Sequence, residues 1–294
     1  MNSRQTADAP ARRGGATTTP REIARGIWWL PQCLALSLDG QETHLHVSSY
    51  LILGKDRTLL WDGGTHELWH GLDRLLDSLL GDRPLDYLVP SHAELAHCAN
   101  LGSILDKYPT CQVLGDVRDY PFYFPGHADR LKSCSIGDEL DLGGMRFVFV
   151  DAVLKDLPTT LWGYEASQQV LFVADGFAYS HRAPIEGEER PPHLKGECSL
   201  LASELGGAPG PEQVVWITKA ALYWTHFLNL DAFRPRMESV LRDHPTRLVA
   251  PAHGPVIDNV DEILWPIWDA LSLAYDPGRG VALAGVSHED RTPT

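Results

Sequence analysis

Apolar residues along the chain fall into short runs separated by turn signals, with only a few stretches at helical spacing. Residues 27–30 (Ile-Trp-Trp-Leu) predict a first strand. The run 47–53, the turn Gly54-Lys55-Asp56 and the run 58–61 predict a β-hairpin. It ends in Asp62-Gly63-Gly64, where glycine permits a sharp change of direction. From 66 to 80, apolar residues stand at 68, 69, 72, 75, 76, 79 and 80, one face of a helix that Gly81 stops. Residues 85–89 predict the next strand, and a short helix is expected over 98–107.

Further on, 111–114 predict a strand, the Pro- and aromatic-rich stretch 119–127 a loop, and 135–144 a polar hairpin. A buried strand is expected at 145–150, and the runs 161–164 and 170–174 predict a second hairpin ending at Asp175-Gly176. Residues 180–211 are rich in Pro, Gly and Glu and read as a lid or surface loop with a helical patch near 199–205. Two helices follow over 214–230 and 231–243, then a strand at 248–251 and a closing helix over 259–275. Strands followed by mixed helices and strands, twice over, predict two mostly antiparallel β-layers covered by helices. A single domain over 21–276 is expected, flanked by disordered tails at 1–20 and 277–294.

Composition changes this picture little: 44% apolar and 22% charged residues are ordinary for a soluble globular chain of 294 residues. Charge is more telling. Lys+Arg 25 against Asp+Glu 39 gives −14, which argues against nucleic acid or an anionic membrane as partner. No apolar run reaches the ~18 residues of a membrane span. Arg12-Arg13 is not followed by a hydrophobic segment, so no secretory signal is read. Cys33, Cys98, Cys111, Cys134 and Cys198 are odd in number and form no C-x-x-C pair. They read as reduced thiols in a cytoplasmic protein.

Candidate chemistry is densest at 90–101, P-S-H-A-E-L-A-H-C-A-N-L. His92, Glu94 and His97 stand within six residues just past a strand, which reads as half of a metal site. Cys98 adjoins them, but buried thiols are usually inert. Four places share one feature, a strand that ends where a ligand-type residue follows: Asp62, the His92/Glu94/His97 group, Asp175 and His253. Strand ends converge at one edge of a sheet layer, so loops there can gather distant residues around one ion. Asp62 reads either as a turn residue or as a group that orients a ligand or a bridging water. Tyr223, Trp224 and His226 are pocket candidates, with core packing as the plain alternative for the aromatics. His44 and His46 flank a strand, point to the same face at a spacing of two, and read first as a buried or surface pair rather than as pocket residues. His181, His193 and Cys198 fall in the expected lid.

In order, Y-L-I-L-G with T-L-L-W-D-G-G, S-H-A-E-L-A-H, V-L-F-V-A-D-G and A-P-A-H-G resemble the metallo-β-lactamase fold. The H-x-E at His92 and Glu94, the stretch I-G-D-E-L-D-L-G-G, the run from Asp151 through Pro158 to Asp175, and the helix with Tyr223-Trp224 resemble its flavodiiron branch. The resemblance spans about residues 25–260 and implies an α+β, four-layer αββα sandwich. The branch orders its ligands H-x-E-x-D-H, then His, Asp and His. Here His92, Glu94, His97, Asp175 and His253 match; Ala96 stands where the pattern has Asp, and Asp156 where it has His.

The resemblance thus implies a first metal on His92, Glu94 and Asp156, a second on His97 and His253, and Asp175 bridging. His92, Glu94, Asp175 and His253 would be catalytic. Ala96 thins the second position, and Lys155 is expected to point away or to pair with a carboxylate. Such a carboxylate-rich set suits two iron ions, with manganese or zinc as alternatives.

The expected activity is O2 or redox chemistry on a small molecule, or O2 binding. In the branch, a flavin on a C-terminal flavodoxin domain feeds the site. Here the chain ends about forty residues past His253, so no flavin is expected on it. A separate electron-donor protein and a homodimer are the expected partners. A hydrolase using metal-bound hydroxide on an ester, thioester or lactam is the alternative, and a non-catalytic descendant the third.

Overall fold

The computed structural model describes residues 16–273 apart from 18, 39–40 and 182–195. The expected C-terminal tail, most of the N-terminal tail and much of the expected lid lie outside the described residues, as does His193. The chain begins with β1 (Ala16–Thr17), the hairpin β2 (Arg21–Ala24) and β3 (Ile27–Leu30), and the hairpin β4 (Gln32–Leu38) and β5 (Gln41–His46). Next come β6 (Ser49–Leu53), β7 (Thr58–Trp61), α1 (Trp69–Leu80) and β8 (Tyr87–Val89). Two short helices, α2 (Leu95–Cys98) and α3 (Leu101–Lys107), lead to β9 (Gln112–Gly115), α4 (Tyr120–Tyr123) and β10 (Leu131–Ser133). The second half runs β11 (Glu139–Asp141), β12 (Arg146–Asp151), β13 (Leu161–Glu165), β14 (Val170–Phe172), α5 (Pro211–Ala221), α6 (Arg234–Asp243), β15 (Leu248–Ala250) and α7 (Val260–Leu273).

Two large sheets result, ordered β10-β9-β8-β7-β6-β3-β2 and β11-β12-β13-β14-β15, beside a small β1-β4-β5 sheet. Three apolar clusters show how they stack. Leu72, Leu75, Leu76 and Leu80 of α1, with Leu101, Ile104 and Leu105 of α3, pack on Leu51, Leu60 and Leu88 of the first sheet. The other face of that sheet (Trp29, Tyr50, Ile52, Leu59, Trp61) meets Phe147, Phe149, Val170 and Phe172 of the second. The far face of the second sheet packs on α5, α6 and α7 through Val214, Met237, Ile263, Leu264, Ile267 and Trp268. The expected αββα sandwich is therefore the fold. Each fully buried large apolar side chain contributes about 1.5–3 kcal/mol. Trp61 lies 5.6 Å from Phe147 and 5.7 Å from Phe172, ring to ring. A Cβ on Gly163 would come within 2.3 Å of Phe147 and 2.8 Å of Trp61, so only glycine fits between these rings.

Several elements differ from the sequence expectation. The strand pairs β7–β8, β8–β9, β9–β10 and β14–β15 are parallel, joined by crossovers rather than hairpins. β2, β4 and β5 were not predicted, and Ala16 and Thr17 pair with Cys33 and Gln32 ahead of the expected domain start. The helix expected over 98–107 starts inside the motif and breaks at Asn100, whose Nδ2 donates to the carbonyls of Gly63 and Thr65, both at 2.8 Å. The stretch 119–127 is not loop: Pro121 and Pro125 start the α4 turn and a 3-10 turn, where a missing N–H costs nothing. Within 135–144 only β11 is a strand, and its partner is β12. The helix expected over 214–230 is α5, which ends at Ala221; a separate 3-10 turn, Tyr223–Phe227, follows. Among the described residues, no helix is long and apolar enough to cross a membrane.

Candidate metal centre

Parallel β7 and β8 in one sheet, and β14 and β15 in the other, bring four strand ends to one edge of the sandwich. Backbone bonds lock them together: Asp62 N donates to Val89 O at 3.0 Å, Gly63 N to His97 O at 2.7 Å, and Ala252 N to Ala174 O at 2.7 Å. Leu161 N donates to Ser91 O at 2.8 Å and ties the sheets to each other. Left-handed backbone at a non-glycine residue costs about 1–3 kcal/mol and persists where the surroundings over-determine it. Three of the four such residues among those described flank this edge: Asp62 (φ 61°), Ala174 (φ 49°) and Phe177 (φ 59°).

The centre is built around Asp175, which is 1% exposed. Its Oδ2 lies 3.5 Å from His92 Nε2, and its Oδ1 lies 3.2 Å from His97 Nε2 and 3.3 Å from His253 Nε2. Glu94 Oε2 is 3.3 Å from His92 Nε2 and 3.9 Å from His97 Nε2, while Asp156 Oδ2 is 3.7 Å from His92 Nε2. His92, Glu94, His97 and Asp175 offer atoms all within 4.8 Å of one another. All six sequence-predicted ligands therefore face one space, although they span 162 positions of the chain, from His92 to His253 counted inclusively.

The far ring nitrogens are held as well. His253 Nδ1 donates to His46 O at 2.6 Å; a carbonyl cannot donate, so this nitrogen carries the hydrogen. His97 Nδ1 faces Asp62 Oδ2 at 3.1 Å and Ser91 Oγ at 3.1 Å, and His92 Nδ1 faces Ser91 Oγ at 3.2 Å. Asp62 Oδ1 accepts from Ser91 N at 2.7 Å and so fixes the serine that contacts both rings. A hydroxyl has two lone pairs and can accept from both imidazoles. Each neutral ring then turns a bare Nε2 towards carboxylate oxygens. Lone pair against lone pair at these distances is repulsive unless a proton or a cation lies between. His97 Nε2 and both oxygens of Asp175 are buried and have no hydrogen-bond partner. A cation removes this conflict, and the mixed imidazole and carboxylate donors fit one.

Electrostatics agrees. Burial alone would lower the His97 pKa, but Asp62 and Asp175 outweigh it and raise it well above the usual value. Burial opposes ionisation of Asp175, yet His97 and His253 hold it below the usual carboxylate range. Burial, then the neighbouring His97, lowers His92. Glu94 is lowered by its bond with His92. Burial, then the charges of Asp175 and Glu94, pushes Asp156 up to about 7. Protons thus share the space that a metal ion would otherwise neutralise.

The other candidates are placed as follows. Lys155 turns away from the ligand space, its Nζ 2.8 Å from Asp151 Oδ1. Trp224 donates its indole N–H to Lys155 O at 2.7 Å, whereas Tyr223 (59%) and Phe227 (63%) are exposed. The side chains of His226 and His44 lie outside the described residues. His46 is buried, with its ring centre 4.9 Å from that of His181 and its Nε2 3.1 Å from Cys198 O. Cys198 Sγ lies 4.0 Å from His181 Nε2. Cys98 is half-buried, its thiol pushed up by burial, and is not among the clustered ligand atoms. Sequence reasoning missed Ser91 and the carbonyl of His46. Ser91 could have been found as the hydroxyl beside a candidate ligand histidine; the carbonyl leaves no residue-type signal.

The family model described as the metallo-beta-lactamase superfamily matches residues 43–215, more than half of the chain. The anaerobic nitric oxide reductase flavorubredoxin of Aliivibrio salmonicida (strain LFI1238) is 25% identical over 235 residues, 78% of this chain and 45% of its own length. The chain thus spans about half the length of the curated relatives it matches. Among solved structures, fragment 1–254 of putative diflavin flavoprotein A 5 from Nostoc sp. PCC 7120 superposes with a TM-score of 0.64 at 16% identity, covering 88% of this chain and 96% of that one. The flavodiiron protein from Giardia intestinalis gives 0.60 at 16% identity, covering 88% of this chain and 58% of its own. At such identities the structural likeness is one of fold.

Proposed function

The chain belongs to the metallo-β-lactamase superfamily, and from that premise we propose that it is a non-haem di-iron oxidoreductase acting on O2 or another small molecule. The observation that carries this reading is the division of Asp175. Its Oδ2 faces His92 and its Oδ1 faces His97 and His253. One carboxylate between two donor groups is what two ions with a shared bridging ligand require. His92, Glu94 and Asp156 would complete the first position; His97 and His253 would hold the second, to which Ala96 adds no donor. Three carboxylates against three imidazoles favour iron or manganese over zinc.

When bound, such a pair supplies electrons to a small molecule or coordinates it. The chain's own residues do the rest. Asp62 and Ser91 orient His97, the carbonyl of His46 orients His253, and Asp156 can hold a proton at its carboxylate near neutral pH. Glu94, whose side chain is 48% exposed, forms the open side of the centre. Electrons would come from a separate donor protein or from the substrate itself. A cytoplasmic location and a homodimer belong to the same proposal. The reductase name of the relative from Aliivibrio salmonicida supports redox chemistry, and the hydrolytic alternative draws no support from the relatives named above.

Iron analysis and O2 exposure test this reading. Protein purified under iron-rich conditions is expected to hold roughly two irons per chain. The optical spectrum of the reduced protein should change on mixing with air. Less than about 0.2 metal per chain, on the same ligand argument, makes it a non-catalytic descendant. Ester turnover by zinc-loaded protein, with an iron form inert to air, makes it a hydrolase.

A further inference from the structure

Asp156 is the ligand candidate with the least local support. It lies between β12 and β13, in a loop of nine residues, and its side chain is 12% exposed. None of the side-chain hydrogen bonds among the described residues ends on its carboxylate, so backbone placement decides where that carboxylate points. Trp224 supplies this placement. Its indole Nε1 donates to Lys155 O at 2.7 Å. That oxygen belongs to the planar peptide unit whose nitrogen is that of Asp156, so holding it fixes the direction in which the Asp156 Cα leaves the plane. The ring is braced in turn, its centre 6.4 Å from that of Phe233.

The rest of the loop is anchored around this point. Leu157 N donates to Thr160 Oγ1 at 3.0 Å, and Leu161 N to Ser91 O at 2.8 Å. Asp151 takes the Lys155 ammonium and also pairs with Arg236, so the cation next to Asp156 is drawn off. The indole N–H is committed to a carbonyl and cannot donate to a bound molecule, which argues against Trp224 as a substrate-binding pocket residue.

Building on the di-iron reading above, we infer that Trp224 is a positioning residue for the first metal, acting through the Lys155–Asp156 peptide. Groups that orient ligands typically change metal affinity by about 10–100-fold when removed. Trp224→Phe keeps an aromatic ring and removes the N–H. Chelator competition on the full chain should then show one of two iron dissociation constants weakened by roughly tenfold, the other unchanged. The Mössbauer spectrum of 57Fe-loaded protein should change for one iron only. In an Asp156→Asn background, adding Trp224→Phe should have no further effect.

Val240→Ala, packed against the same apolar cluster, is the control for packing: it should lower thermal stability without changing the ratio of the two constants. Unchanged constants in Trp224→Phe overturn the inference. So does an additive loss in the Asp156→Asn background, or an equal loss of both irons matching that of Val240→Ala. A wild-type chain that takes up no iron overturns the di-iron reading itself, a result distinct from any of these.

Discussion

The two halves of the centre are built differently. The His97–His253 half is closed: both rings are buried, and each Nδ1 is engaged by Asp62 with Ser91 or by the carbonyl of His46. The His92–Glu94–Asp156 half is open, with the Glu94 side chain 48% and that of Asp156 12% exposed. It carries more carboxylate, and Asp156 retains a proton up to about pH 7. Rigidity has thus gone to the half with fewer candidate ligands, and charge to the half nearer solvent. A preorganised pair of imidazoles can hold an ion with few donors, whereas a crowded set of carboxylates needs the ion to relieve its own repulsion.

Substitution of the residue shared by both halves should have the largest effect. Asp175→Asn removes the charge that compensates His97, and losing one partner of a buried pair costs roughly 3–5 kcal/mol. Denaturant titration of the metal-free chain should register that loss, and metal analysis should find both ions gone; retention of either at full occupancy would contradict a bridging role. Asp62→Ala acts directly on the closed half, through His97 Nδ1, and reaches His92 only through Ser91. Chelator competition should find the second ion bound about 10–100-fold more weakly and the first weakened by much less. Equal weakening of both would mean that the halves are not separable.

The pH dependence probes the open half. A proton on Asp156 competes with metal, so affinity at the first position should be constant above about pH 7. Below that it should fall by up to about tenfold per pH unit. Uptake at pH 6 should release the proton, as calorimetry in buffers of different ionisation enthalpy can measure. In Asp156→Asn this limb should vanish. Ala96→Asp should have the smallest effect, tightening the second ion by roughly tenfold or less. An unchanged constant would mean that position 96 does not face the centre.

Much of the site was legible because it is locally encoded. Most of the candidate groups follow a strand, and strand runs carry their own apolar signal: 58–61 before Asp62, 85–89 before His92, 170–174 before Asp175 and 248–251 before His253, whereas Asp156 lies inside a loop. Hairpins closed by glycine-containing turns were readable for the same reason. Other features depended on distant partners. α5 ends at Ala221 and a separate turn then sets Trp224 against the loop of Asp156. Likewise, the interruption between α2 and α3 serves the two carbonyls that Asn100 caps. β2 carries no apolar run, and its pairing with β3 establishes it as a strand; β4 alternates through Leu34, Leu36 and Leu38, a strand signal that sequence reasoning missed.

The sequence by itself determined which residue types stand at the strand ends, the αββα order of layers, and the absence of an Asp at position 96. The strand ends follow from short-range periodicity, which acts within a few residues; the order of layers was implied by the resemblance to a known family. Only the tertiary structure decided that Asp175 turns one oxygen to His92 and the other to His97 and His253. It also decided that a backbone carbonyl at 46 orients His253, and that Trp224 braces the peptide before Asp156. Those are choices of direction and of backbone partner. A side chain's identity does not carry them; they exist once two sheets have closed on each other and brought distant backbone and side-chain groups within reach.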